Sequence, residues 1–260
     1  MQPIGPNPSP IGAINAVNKV KDERGGVFER LSTGLRINRA SDDPAGLISS
    51  EQLRSVLSAL EAETRAVERT DAVLNVADSA LASASGSLND ARAAAVAAAN
   101  TGALSDAERA AYQTQYTDAV NAANRAIDDA EFNEQALFDG EITARAGESE
   151  LNLSRPSTDE LSAADLAADP SAAAEALDAV AARLASARGE IGSFQSNALG
   201  SRAESIRDES LAVASSLSEI RDTDYARETA ELARTQILEQ TNQTALALSL
   251  ASASQVLRLL

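Results

Sequence analysis

The chain has 260 residues, with a 44% hydrophobic share dominated by alanine and only four Phe and three Tyr beside no Trp. Large side chains are too few to fill a wide interior, whereas helices packed closely through Ala need little volume, so paired helices suit this composition better than a barrel or a doubly wound sheet. A formal net charge of −17 argues against a nucleic-acid partner, which needs clustered Lys and Arg, and the absence of His and Cys removes disulfides, thiolate chemistry and the commonest metal ligands.

From the N-terminus, Pro3, Pro6, Pro8 and Pro10 are expected to keep the first ten residues extended. Helical spacing begins at Ile11, Ile14, Val17 and Val20 and resumes at Val27, Phe28, Leu31 and Leu35, with a soft point expected at Gly25-Gly26. Asp43 followed by Pro44 reads as a cap plus first-turn proline opening a new helix. Its pattern continues to about Ala99, roughly 55 residues and about 80 Å at 1.5 Å per residue. Leu53, Leu60, Val67, Leu74, Leu81 and Leu88 recur along it every seven residues, the mark of a narrow packing seam.

Asn100-Thr-Gly102 is expected to stop this helix. Ser105 with Glu108 three residues on is a capping box for another helix, running through about Ala130. Residues 131–169 change character: Phe132, Leu137, Phe138 and Ile142 cluster beside Asp139-Gly140, and Leu151 and Leu153 alternate with polar neighbours, which fits one or two short hairpins. Asp169-Pro170 repeats the cap-plus-proline start, and a second seam follows through Leu177, Val180, Leu184, Ala187, Ile191 and Phe194. Beyond Phe194 the seam slips by one position and continues at Leu199, Ile206, Val213 and Ile220, which implies a local change of helix winding. The polar cluster Arg221-Asp-Thr-Asp224 breaks the helix, and Tyr225, Leu232, Leu246, Ala253 and Leu260 then share a seven-residue spacing. The final Val256-Leu-Arg-Leu-Leu260 is costly to expose and calls for a partner, from this chain or another copy. The fold class is mainly α: an elongated bundle of long antiparallel helices with one or two short β-hairpins.

No run of about 18 apolar residues occurs, so no membrane span is expected. The first residues lack the basic start and apolar stretch of a secretory signal, so any export is expected to use a route without a cleaved signal. Carboxylate pairs such as Asp42/Asp43 and Asp128/Asp129 fall at helix boundaries and read as caps. Neither a Gly-x-Ser-x-Gly elbow nor a phosphate-binding glycine loop is present, so no catalytic, cofactor-binding or metal site is expected. The seams themselves fit a closed intramolecular bundle as well as they fit polymerisation.

The segment Glu29-Arg-Leu-Ser-Thr-Gly-Leu-Arg-Ile-Asn-Arg-Ala-Ser-Asp-Asp-Pro-Ala-Gly-Leu47 closely resembles the N-terminal signature of bacterial flagellins. Glu131-Phe-Asn-Glu-Gln-Ala-Leu-Phe-Asp-Gly140, Ile220-Arg-Asp-Thr-Asp-Tyr-Ala-Arg-Glu-Thr-Ala230 through Arg234-Thr-Gln-Ile-Leu238, and the chain end resemble the family in the same order. The resemblance implies that both chain ends pair in an inner helical domain (1–43 with 220–260), that 44–139 and 171–219 form the next shell, and that 140–170 is a short hairpin and loop replacing the family's outer domains. It implies a structural subunit that polymerises into the extracellular flagellar filament for swimming, exported through the flagellar type III pathway. The implied partners are other copies, a flagellin-specific export chaperone at the C-terminus, and hook-associated and cap proteins.

On this reading copies meet through Val20, Val27, Leu31, Leu35, Tyr225, Leu232, Ile237, Leu246, Val256, Leu257, Leu259 and Leu260, while Leu53 to Leu88 and Leu177, Leu184, Ile191 and Phe194 pack within the chain. Asn89 to Asn100 aligns with the stretch that Toll-like receptors read in some flagellins. Asp90, Ala93 and Ala94 depart from the Arg, Glu and Leu typical there, and Arg92 and Val96 match, so weak or no receptor activation is expected. Two rivals remain: the homologous hook–filament junction protein, and a signalling coiled-coil rod, which would need a tight hairpin tip at its midpoint.

Overall fold

The computed structural model describes residues 8–99, 104–162, 164–166 and 168–259. Along the chain run α1 (Pro8–Thr33), α2 (Pro44–Ala98), α3 (Asp106–Asp128), β1 (Glu131–Phe132), β2 (Gln135–Ala136), β3 (Ile142–Ala146), β4 (Ser149–Leu153), α4 (Asp159–Ser162), α5 (Pro170–Ser193), a π-helical turn (Phe194–Leu199), α6 (Gly200–Arg221) and α7 (Tyr225–Leu259). The chain divides into a terminal unit, residues 1–58 with 210–260, and a middle unit, residues 59–209.

In the terminal unit α1 packs along α7. The helix starts earlier than the prolines suggested: Pro8 and Pro10 lie in its first turn, where no intrahelical N–H is lost, and the preceding residues lie outside the described ones. Gly25-Gly26 does not interrupt it either. Val20 and Val27 are buried on the two sides of this pair, and Arg24 pairs with Glu239 of α7, so tertiary contacts hold the segment helical where its propensity is low.

The middle unit draws its core from one face each of α2, α3 and α5. Leu60, Val67, Leu74, Leu81 and Leu88 are buried as a seven-residue seam, and Ala77, Ala84, Ala91 and Ala98 form a second row three residues on. A Leu row beside an Ala row lets helix backbones approach closely, which is how a chain poor in aromatics reaches dense packing. Leu177, Leu184, Ile191 and Phe194 are buried as well, whereas Leu53, in the terminal unit, is half-buried. The expected caps form as read: Asp169 Oδ1 accepts from the N–H groups of Ser171 and Ala172, and Ser105 and Glu108 make the full capping box. The seam slip after Phe194 is a six-residue π turn.

Both small sheets are antiparallel hairpins. The turn of the first is Asn133-Glu134, both at positive φ (55° and 64°), and that of the second is Gly147-Glu148 with Gly147 at φ 62°. Asp139-Gly140, singled out in the sequence, only links the two hairpins. Glu134 is an unusual choice for left-handed backbone, which is why the first turn is hard to read from residue types.

Nothing lies within 4 Å of a Cβ added at Gly25. Gly25→Ala is therefore expected to raise the stability of the terminal unit by about 0.8–1 kcal/mol, the helix-propensity difference, as measured by denaturant unfolding. A loss of stability would show that this glycine is required by a contact.

Candidate functional site

The residues of the flagellin-like N-terminal motif fold against those of the C-terminal motif. After α1 the chain turns at Gly34, whose φ of 72° suits glycine and whose absent Cβ would stand 3.2 Å from the Tyr225 hydroxyl. Leu35 forms a β-bridge with Asp222, the Thr223 N–H donates to the Gly34 carbonyl at 2.9 Å, and the Arg36 N–H donates to the Arg221 carbonyl at 2.6 Å. The Arg36 guanidinium caps the end of α6 by donating to the Ile220 carbonyl at 2.6 Å. Two short peptide segments, distant in sequence, thus satisfy each other's backbone groups at the point where both long helices end.

The loop that follows is shaped by its two aspartates. The Asp42 carboxylate accepts from the N–H groups of Asn38 (3.0 Å) and Arg39 (2.8 Å), and Asp43 accepts from the Gly46 N–H (2.9 Å) to cap α2. The Arg39 and Asn38 N–H bonds hold the Asp42 carboxyl below the usual carboxylate range. A Cβ at Gly46 would collide with the Asp43 carboxylate and stand 2.7 Å from Ile37 Cδ1, a fully buried side chain. Arg221 reaches Glu51 at 3.1 Å, while its Nε is buried with no hydrogen-bond partner. In the Ser-Asp-Asp-Pro-Ala-Gly run, Asp42, Asp43, Pro44 and Gly46 therefore each have a distinct geometric task in one close-fitting turn.

Between α1 and α7 the fully buried positions of α7 are polar, with Leu232 and Leu246 half-buried beside them. Thr235 and Glu239 are buried, Glu239 receives Arg24 at 2.5 Å, and Glu228 receives Arg30 through two bonds of 2.9 and 3.1 Å. The aliphatic residues face outward instead: Ile237 is 63% exposed, Leu248 72% and Leu250 51%, joined by Phe28 of α1 at 56%. Of the residues read from the sequence as copy contacts, Val20 and Val27 are thus buried inside the chain, while Leu31, Leu35, Leu232 and Leu246 are half-buried and Tyr225 and Ile237 are exposed. The side chains of Val256, Leu257, Leu259 and Leu260 lie outside the described residues. Leu238, Leu248 and Leu250 were not singled out in the sequence as copy contacts because α7 has apolar residues on nearly all sides, so no seven-residue row marks one face.

In the middle unit a polar ladder aligns α2 with the antiparallel helix opposite. Arg188, Gln195 and Arg202, seven residues apart, reach Asp78 (2.7 Å), Asp71 with Asn75 (2.9 and 3.0 Å) and Glu63 (2.6 Å). At the far end the charges reverse, Arg92 meeting Asp178 at 2.7 Å. Arg202 holds the Glu63 carboxyl below its ordinary range. Exposed pairs of this kind each add little stability, but a one-turn slip would break every one of them, so their work is to set register. Arg92 is thereby engaged within the chain; Asp90 and Arg92 stand on the surface, whereas Ala94 is turned into the core by the Ala91–Ala98 row.

Paired chain ends, long register-matched helices and an outward apolar face define a helical structural protein. Models of the bacterial flagellin N-terminal and C-terminal helical regions match residues 9–143 and 174–260. A flagellin from Halalkalibacterium halodurans is 32% identical over 247 residues, covering 90% of each chain. A flagellin of Bacillus subtilis is 34% identical over 93 residues, 35% of this chain and 31% of that one, and the flagellar filament 33 kDa core protein of Treponema phagedenis is 37% identical over 73 residues, 28% and 26%. The chain belongs to the bacterial flagellin family, whose members are structural subunits of the flagellar filament. A solved flagellar hook-associated protein from Vibrio parahaemolyticus shares the fold (TM-score 0.61, 18% identity, 70% of this chain and all of that one), and that likeness extends to the fold alone.

Gly46→Ala is expected to destabilise the terminal unit by about 1–3 kcal/mol, as overpacking does, read from its denaturant midpoint. The stabilisation due to Asp42 is present in full above the ordinary carboxylate range and is lost as pH falls through its depressed value. The stability advantage of the parent chain over Asp42→Asn is therefore expected to shrink on acidification from pH 7 to about pH 3; an advantage independent of pH would contradict this role.

Proposed function

We propose that this flagellin polymerises through its terminal unit, the α1–α7 pair and its outward aliphatic face forming the contacts between copies. The observation that carries the reading is the inverted burial of α7: polar Thr235 and Glu239 inside the chain, Ile237, Leu248 and Leu250 outside it. Large aliphatic side chains left this exposed favour burial by another copy, at about 25 cal/mol per Å² of apolar surface removed from water. The division of labour follows the family's pattern: an inner helical domain of residues 1–43 with 220–260, and a surrounding shell of 44–219 whose outer surface carries only the short 140–170 hairpin and loop.

Export through the flagellar type III pathway without a cleaved signal, a C-terminal chaperone before export, and hook-associated and cap proteins at the filament ends complete the proposal. Among the described residues no helix is long and apolar enough to cross a membrane. At Asp90, Ala93 and Ala94 this chain lacks the family's receptor-read side chains, which supports weak or absent Toll-like receptor activation.

A chain lacking residues 221–260 is expected to form no filaments by electron microscopy under conditions where the full chain does. Filaments of normal length from the shortened chain would sink the mechanism.

A further inference from the structure

We propose that the π turn at Phe194–Leu199 opens a groove on the middle unit that receives Leu211, with Arg207 beside it, from a second copy of this chain. The proposal rests on the polymerisation reading above and adds one specific contact to it. Across the core, α2 advances by sevens through Leu60, Val67, Leu74 and Leu81; the opposite helix advances by seven from Leu177 to Leu184 to Ile191, by eight to Leu199, then by seven to Ile206. One extra residue is held inside the helix, and the π turn accommodates it. The turn keeps Leu199 and Ile206 in the seam at the cost of a rare local geometry, one found mostly as single-turn bulges at functional sites.

What the widened turn does is visible on the outside. With β4 it encloses an open groove of about 620 Å³, its apolar wall formed by Leu151, Phe194 and Ala198, its floor by Gly189 and Ser193, and a carboxylate, Glu190, at its side. A Cβ at Gly189 would meet nothing within 4 Å, so the fold of the single chain does not need glycine there, although glycine weakens a helix interior. Two locally unfavourable choices, a π turn and a mid-helix glycine, converge on one groove that the chain leaves unfilled.

An apolar groove beside a carboxylate matches an apolar side chain beside a cation. Leu211 of α6 is 65% exposed, and Arg207, one turn before it, is exposed with no hydrogen bond or ion pair among the described residues. Val96, comparably exposed, has Arg92 one turn away, but that cation is committed to Asp178. In a polymer of identical copies the groove and the Leu211–Arg207 pair recur on every subunit, and each offers the apolar surface and opposite charge that the other lacks.

The chain contains no cysteine, so introduced thiols report a single contact. Ala198→Cys and Leu211→Cys variants, prepared separately, mixed, polymerised and oxidised, are expected to give disulfide-linked dimers of one chain of each kind, absent from the same mixture kept unpolymerised. Mixed filaments without that dimer, or a dimer formed instead with a Val96→Cys partner, would overturn the proposal. Gly189→Leu fills the groove at a position with free space: its thermal midpoint is expected at or above that of the parent, while the critical concentration for polymerisation rises about tenfold or more. Parent-like polymerisation of Gly189→Leu would also overturn it. If the unmodified chain itself stays monomeric, the polymerisation reading fails and takes this contact with it.

Discussion

The backbone bridge between residues 34–36 and 220–223 is the constraint on which the terminal unit depends. It joins segments more than 180 residues apart in the sequence, and it does so with main-chain groups, whose partners cannot shift by a residue without leaving donors and acceptors unpaired. Closing so long a loop costs entropy that a few hydrogen bonds do not offset alone. The Asp42 and Asp43 turns, the fully buried Ile37 and the Arg221–Glu51 pair add local order around the bridge, and together they fix where α1 ends, where α2 begins and how α7 leaves α6. The register of Arg24 with Glu239 and Arg30 with Glu228 follows from that starting point.

The two units solve the same problem with opposite chemistry. In the middle unit the apolar residues meet inside, Leu against Ala, and the ions line the edge to set register. In the terminal unit an ion pair and a threonine hold the most buried positions of α7, while Ile237, Leu248 and Leu250 face out. A part-buried pair of this sort contributes little net stability and specifies alignment instead. The first arrangement gives a unit whose apolar surface is largely satisfied within one chain; the second leaves a pair of helices with apolar surface still to bury.

Much of this was legible in the sequence because it depends on local rules. Asp43-Pro44, Ser105 with Glu108 and Asp169-Pro170 each start a helix, and the break in the seven-residue count after Phe194 marked the π turn, since period alone reveals a change of winding. What was not legible depends on which face of a helix meets a partner. α7 offers apolar residues in nearly every direction, so its seven-residue row through Tyr225 and Leu232 did not distinguish inside from outside, and only the position of α1 decides that Thr235 and Glu239 turn inward. The hairpin turn at Asn133-Glu134 escaped for a different reason: Glu134 gives no turn signal, and its left-handed backbone is imposed by the strands on either side.

The central claim, that the packing seam of the middle unit is complete in one chain whereas the terminal pair is completed by other copies, is tested most directly by amide hydrogen exchange on the soluble chain and on the polymer. The account expects residues 60–88 and 173–187 to be equally protected in both, and residues 11–33 and 225–251 to gain protection of at least about tenfold on polymerisation. Terminal helices already as protected in the dilute soluble chain as in the filament would contradict it.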